Sequence, residues 1–150
     1  MVPVETLKSL DVFSGLTEFE MMEVARVCDT QDYPSGTMVF RENDDADRLY
    51  VLLAGRVAIQ FEVGRHQDAV VHTSEAGQAF GWSALVQPYR FTASARCMSD
   101  SKILTVDREG LRALLSEDCH IGFIIMEKLA EIISKRLRET RIQLISMIHG

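Results

Sequence analysis

The chain has 150 residues, a length that fits one domain, with 47% hydrophobic and 25% charged residues as in ordinary globular proteins. The net charge of −6 disfavours a nucleic-acid-binding surface, which needs a basic footprint. No apolar run approaches the about 20 residues of a membrane span, and no signal peptide is evident, so we expect a cytoplasmic protein without membrane contact. The three cysteines are odd in number and widely spaced, which predicts neither a zinc site nor a disulfide framework.

The N-terminal part, about 5–30, reads as a helical lead-in. Thr17 and Glu20 form a capping-box pattern, in which a hydroxyl and a carboxylate bind the free amides at a helix start. The apolar stripe that follows predicts a helix from about Glu18 to Cys28.

The central part, about 31–106, is predicted to be all β. Short stretches rich in β-forming residues are separated by turn residues without intervening helices, a pattern typical of a barrel or jelly roll. The predicted strands are Thr37–Phe40, Leu49–Leu53, Arg56–Glu62, Ala69–Thr73, Thr92–Met98 and Ser101–Val106.

The C-terminal part, about 107–148, is predicted to form two helices. Asp107 is a suitable N-cap for Arg108–Leu115, and a longer helix begins near Asp118. Residues at alternating spacings of four and three predict a helix-pairing seam: Met126, Ala130, Ile133, Leu137, Thr140, Leu144 and Met147. A second stripe lies on an adjacent face and stops early: Ile125, Leu129 and Ile132. We expect this stripe to pack on the barrel and the seam to join two subunits; the alternative is one wide core face.

These elements and several short runs resemble the cyclic-nucleotide-binding domain, the sensor of catabolite-activator-type regulators and of cyclic-nucleotide-dependent kinases and channels. The matching runs are Val12–Leu16, Gly36–Phe40, Leu49–Val57, Ala76–Gly81 and Thr92–Ala95. The resemblance implies a mainly β fold with flanking helices over residues 1–150: a double-stranded β-helix or jelly roll (the β-roll), preceded by helices and followed by a long C-terminal helix. It also implies a regulatory ligand-sensing module, dimeric through that helix, and not an enzyme.

The same resemblance implies a set of ligand-binding residues. In the family, a phosphate-binding cassette begins with a Phe-Gly pair and holds the cyclic phosphate on helix-terminal amides. Here we expect Gly81 to allow close approach and the amides of Ser83 and Ala84 to donate. The expected ligand contacts are Phe80, Gly81, Trp82, Ser83, Ala84, Arg90, Phe91, Thr92, Ala93 and Thr140. Thr140 follows a basic-basic-Leu run and matches a base-contacting Thr of the family; the alternative is a polar residue tolerated in the seam.

Two of these positions depart from the family pattern. Trp82 stands where the family has a ribose-binding Glu, and Phe91 where it has a phosphate-binding Arg; Arg90 comes one residue earlier and points to the opposite face of a strand. Losing one partner of a buried charge pair costs about 2–5 kcal/mol, which would move a micromolar ligand to roughly 0.1 mM or weaker. We therefore expect no required cofactor and weakened binding of cAMP or cGMP.

The altered pocket leaves two alternatives open. It suits a flat or apolar effector such as haem, with His72 or His120 as axial ligand, or it binds no ligand and the chain is an oligomerisation scaffold.

Rival functions find less support. A metal-dependent cupin-type enzyme needs converging histidines, whereas His66 and His72 are six residues apart. A transcription regulator of this type carries a helix-turn-helix after the long helix, where this chain ends, so we expect a stand-alone sensor or part of a larger regulator. The basic run Lys135–Arg141 is interpreted as the solvated flank of the pairing helix.

Overall fold

The computed structural model describes residues 1–64 and 67–149, and of Gln67 only the backbone. Eight strands form its centre: β1 (Cys28–Tyr33), β2 (Met38–Phe40), β3 (Arg48–Ala54), β4 (Val57–Gly64), β5 (Gln67–Ser74), β6 (Ala79–Phe80), β7 (Ser94–Cys97) and β8 (Ser101–Asp107). They pair antiparallel in two four-stranded sheets, with strand orders β1-β8-β3-β6 and β2-β7-β4-β5. The expected β-roll is confirmed.

The helices lie before and after the sheets. They are α1 (Val4–Lys8), α2 (Glu18–Ala25), α3 (Arg108–Glu117) and α4 (Cys119–His149), with short 3-10 turns at Asp11–Phe13 and Trp82–Leu85. The predicted capping box is confirmed, because the Thr17 hydroxyl accepts from the Glu20 amide and the Glu20 carboxylate accepts from the Thr17 amide. The Asp107 carboxylate accepts from the Gly110 amide and caps α3, also as predicted. No helix within the described residues combines the length and hydropathy needed to cross a membrane.

The boundary between the lead-in and the β-roll differs from the sequence expectation. The helix predicted to reach Cys28 ends at Ala25, and the sheet begins at Cys28 rather than at about 31. In β1 only Cys28 is fully buried; Asp29–Asp32 are polar and exposed, and Tyr33 is half-buried. Hydropathy could not reveal β1, because backbone pairing with β8 holds it in place. The two-residue strand β6 was missed as well, and β7 is shorter than the predicted Thr92–Met98.

One hydrophobic core joins the two sheets, the lead-in helices and the first half of α4. Ile121, Ile125 and Leu129 are buried against this core, as the second stripe predicts for the last two of them. No described residue of α4 after Leu129 is fully buried. The long helix is thus anchored at its start, and its second half approaches the roll at Arg136, Glu139 and Thr140.

The predicted seam lies on the free face of α4. Every seam position is exposed in the single chain, and the exposed fraction reaches 69% at Leu137 and 79% at Met147. One wide core face is therefore wrong, because the two stripes have different surroundings.

Candidate functional site

A cavity of about 170 Å³ lies between the β-roll and α4. Eight of the ten residues expected to contact a ligand line it: Phe80, Gly81, Trp82, Ser83, Phe91, Thr92, Ala93 and Thr140. Six further residues complete the lining: Phe40, Ile59, Phe61, Val71, His72 and Arg136. We call this space the aromatic cavity.

Phe40, Phe80 and Phe91 form one wall of the aromatic cavity, and Tyr50, which does not line it, packs against Phe40 and Phe80. The rings of Phe40 and Phe91 lie 3.7 Å apart between centroids at an interplanar angle of 9°, and those of Tyr50 and Phe80 lie 5.4 Å apart at 12°. Phe91 is only 3% exposed. A buried ring therefore occupies the position at which the resemblance implies an arginine, and the wall offers carbon rather than charge.

Gly81 connects β6 to the Trp82–Leu85 turn at this wall. Its φ of 71° lies in the left-handed region, which glycine enters without steric cost. A Cβ at this position would lie 2.8 Å from Cδ2 of Tyr50, 3.2 Å from Cε2 of Phe40 and 3.3 Å from Cε1 of Phe91. Both the backbone conformation and the close packing of the rings therefore require glycine here.

Two residues expected to contact a ligand do not line the aromatic cavity. Ala84 is fully buried, and its amide donates to the carbonyl of Gly81 at 3.4 Å, so that amide is not available to a ligand. Arg90 donates from Nη1 to the carbonyl of Asn43 at 2.9 Å, and its backbone forms a bridge with Asp45. These contacts direct Arg90 toward the 43–45 loop and away from the aromatic cavity.

The Trp82–Leu85 segment is one 3-10 turn of four residues. Such a short turn aligns few peptide dipoles, so its amino end attracts an anion less strongly than the start of a long helix would. With the Ala84 amide engaged, the expected cradle of amides is reduced.

Two residues of α4 close the aromatic cavity, Arg136 and Thr140. The guanidinium carbon of Arg136 lies 5.3 Å from the centroid of the Trp82 ring, a cation–π contact, and burial lowers the pKa of this arginine. The Thr140 hydroxyl donates to the Arg136 carbonyl at 2.9 Å. Sequence reasoning missed Arg136 by assigning the whole basic run to solvent. Its position four residues before Thr140, on the same helix face, could have identified it.

His72 of β5 also faces the aromatic cavity. Its Nε2 lies 3.3 Å from Oε1 of Gln78, and its Nδ1 lies 3.8 Å from Oε2 of Glu139. Burial lowers the pKa of His72, the Arg136 charge lowers it further, and the Gln78 hydrogen bond with the charges of Glu139 and Glu75 opposes this.

The sequence offers two other histidines as metal ligands, His120 for haem and His66 for a cupin-type site. His120 contacts the carboxylate of Glu20, where α4 meets α2, and does not line the aromatic cavity. His66 lies outside the described residues. Within the part of the chain that the structure describes, no three metal-binding side chains cluster together.

A second, more polar cavity of about 120 Å³ adjoins the first. His72 and Arg136 line both, and Glu139, Lys135 and Asp11 line only the second. His72 and Arg136 thus lie at the boundary between the apolar aromatic cavity and the more polar second cavity.

A family model described as the cyclic nucleotide-binding domain matches residues 30–134. The chain belongs to this family.

Relatives of the chain include a transcriptional regulator. A CRP-like cAMP-activated global transcriptional regulator of Mycobacterium tuberculosis is 25% identical over 96% of this chain and 62% of its own length. The chain therefore spans under two thirds of this curated relative. A candidate cyclic nucleotide-binding protein from Geobacter metallireducens has a TM-score of 0.82 at 28% identity, covering 91% of this chain and 99% of that one. The regulatory subunit of a cAMP-independent protein kinase A from Trypanosoma brucei shares the fold, with a TM-score of 0.74 at 16% identity, covering 86% of this chain and 45% of that one.

Gly81→Ala is expected to lower the free energy of unfolding by about 1–3 kcal/mol, because it adds backbone strain and a clash with Tyr50. Gly77→Ala is the matched control: Gly77 also has a positive φ, but a Cβ there meets nothing within 4 Å. Chemical denaturation should show the larger loss for Gly81→Ala. Equal losses would mean that the rings do not require the close approach.

Arg136→Gln is expected to raise the pKa of His72, because it removes a nearby positive charge that disfavours the imidazolium. An NMR titration of the His72 ring protons measures this pKa. Arg138→Gln removes the same charge from an exposed position of the same helix and should change it little. A His72 pKa that does not rise in Arg136→Gln would contradict the proximity of the two side chains.

Proposed function

We propose that this chain is a regulatory ligand-sensing module in which an effector occupies the aromatic cavity and changes the position of α4. The observation that supports the proposal is the lining of this cavity. The Trp82–Leu85 turn forms part of one wall, and Arg136 and Thr140 of α4 form part of another. A ligand between them would contact the β-roll and the helix together. Membership of a family with regulatory relatives supports a regulatory rather than an enzymatic role.

The proposed signal depends on a difference in affinity. A ligand shifts a conformational equilibrium only if it binds one position of α4 better than the other. The second half of the helix is suited to such movement, since it has no fully buried residue after Leu129. Its contacts with the roll near the cavity include the Arg136–Trp82 and Glu139–His72 pairs. A ligand that rearranges these pairs would alter the position of the α4 surface that a partner protein contacts.

We propose that cAMP and cGMP bind this cavity weakly. No carboxylate lines it among the described residues, so a ribose would lack the acceptor that the family's Glu supplies. Phe91 supplies no charge to a cyclic phosphate, and Arg90 points elsewhere. An effector other than a cyclic nucleotide, haem included, is the second candidate, and the apolar wall favours it.

We further propose that the chain acts in the cytoplasm as a homodimer paired through α4. The seam residues Met126, Ala130, Ile133, Leu137, Leu144 and Met147 form an exposed stripe on one face of the helix. Apolar side chains repeated at this spacing gain stability by packing against a second helix. An oligomerisation scaffold with no ligand would use the same stripe, and only ligand binding distinguishes the two.

The sensing proposal is tested by calorimetric and thermal-shift titration with cAMP, cGMP, cyclic dinucleotides and haem. The parent is expected to bind the cyclic nucleotides weakly. Trp82→Glu combined with Phe91→Arg restores both family anchors and should bind cAMP about 30-fold more tightly or better. Trp82→Glu alone, which leaves the buried ring of Phe91 intact, controls for misfolding. Tight cAMP binding by the parent would refute the weakened-anchor argument. A parent that binds no tested compound, and whose α4 never responds, would favour the scaffold.

Leu137→Glu is expected to dissociate the dimer, because it places a charge in the middle of an apolar seam. Gln143→Glu adds the same charge to an exposed position outside the seam and should leave the dimer intact. Sedimentation equilibrium measures the mass of each. A dimer that survives Leu137→Glu would exclude pairing through this stripe.

A further inference from the structure

The guanidinium of Arg136 faces the aromatic cavity without a hydrogen-bond acceptor from the described residues. Its side chain is 16% exposed, and its face lies over the Trp82 ring. Its ion-pair partner there is Glu139, whose Oε2 lies 3.9 Å from Nε. That separation is too long for a hydrogen bond. A guanidinium has five N–H donors, so this group can receive an acceptor from outside the chain.

Arg108 provides a comparison within the same protein. Its side chain is 18% exposed, nearly the same fraction. Arg108 nevertheless donates from Nη1 to the Ala46 carbonyl at 2.9 Å and to the Asp45 carboxylate at 3.2 Å, and from Nε to Glu109 at 3.3 Å. A half-buried charge is costly unless it is paired and hydrogen-bonded. Arg108 has that compensation from its own chain, whereas Arg136 lacks it.

The remaining lining indicates the kind of molecule that would supply the acceptor. Aromatic and aliphatic side chains dominate it, and its polar groups other than Arg136 are uncharged hydroxyls and the imidazole of His72, whose pKa burial lowers. No described lining residue is acidic. A sugar would find only Ser83, Thr92 and Thr140 as hydroxyl partners. A flat, apolar molecule with a single negative group matches this surface better. Its apolar part would pack against the aromatic and aliphatic side chains, and its anion would pair with Arg136.

We propose that the effector is a planar aromatic acid, whose carboxylate accepts paired hydrogen bonds from Arg136 while its ring lies against Trp82 and Phe91. This inference rests on the proposed sensing function and specifies its ligand. A carboxylate matches the fork of donors on a guanidinium, and such paired hydrogen bonds are among the strongest in proteins. The bound acid replaces Glu139 as the partner of Arg136, and Glu139 keeps its contact with His72. The bound acid would contact Arg136 of α4 together with Trp82 and Phe91 of the roll, so binding changes how α4 is held against the roll.

The test compares phenylacetate with phenylacetamide, which share a ring and differ in charge. Trp82 is the only tryptophan of the chain, so intrinsic fluorescence reports on the aromatic cavity. We expect the acid to bind at least about tenfold more tightly than the amide, because only the acid forms charge-assisted hydrogen bonds. Arg136→Gln should abolish that advantage, so that acid and amide bind with similar affinity. Arg138→Gln, an exposed change on the same helix, should preserve it.

Each other outcome has a definite meaning. Equal affinity for acid and amide, or an acid preference that survives Arg136→Gln, overturns the anion proposal and leaves the sensing function intact. Binding of cAMP in preference to phenylacetate, unaffected by Arg136→Gln, also overturns the aromatic-acid proposal and leaves the sensing function intact. If neither the probes nor any of the compounds titrated for the sensing proposal, haem included, binds, both proposals fail. Thermal unfolding of each variant controls for folding. Arg136→Lys, which retains the charge without the fork, should keep part of the preference.

Discussion

The packing of four rings around one glycine determines what the candidate site can be. Phe40, Tyr50 and Phe80 come from strands of both sheets and Phe91 from the segment before β7, and Gly81 lets the backbone pass closely beside three of the four rings. All four rings belong to the core, and Phe40, Phe80 and Phe91 also line the aromatic cavity. An arginine in place of Phe91 would have to bury its charge among these rings. The apolar character of the site therefore follows from the way in which the sheets are held together.

The two halves of the long helix have different surroundings, as the pattern of apolar residues along it indicates. Its first half buries Ile125 and Leu129 in the core, and its second half carries an exposed apolar stripe. Arg136 and Thr140 lie where the helix leaves the core and passes the aromatic cavity. In the proposed sensor, a fixed start and a less restrained end would let a ligand in the cavity shift the part of the helix that carries the exposed stripe.

Much of the fold could be predicted from the sequence, because the elements that were found have local signatures. The capping box at Thr17, the N-cap at Asp107 and the spacing along α4 each depend on residues close together in the chain. The β1 strand had no such signature, since it is polar and held by its neighbour. The cavity was predicted only where a family motif existed. Only tertiary packing brings His72 of β5 beside Glu139 and brings Arg136 beside Trp82.

Thr140 belongs both to the lining of the aromatic cavity and to the exposed seam of α4. In a protein paired through that seam, subunit association and effector binding would act on the same turn of helix. Linkage then requires that each process alter the free energy of the other by an equal amount. The apparent affinity for the effector would therefore vary with the concentration of the protein itself, so dilution alone could tune the sensor's response.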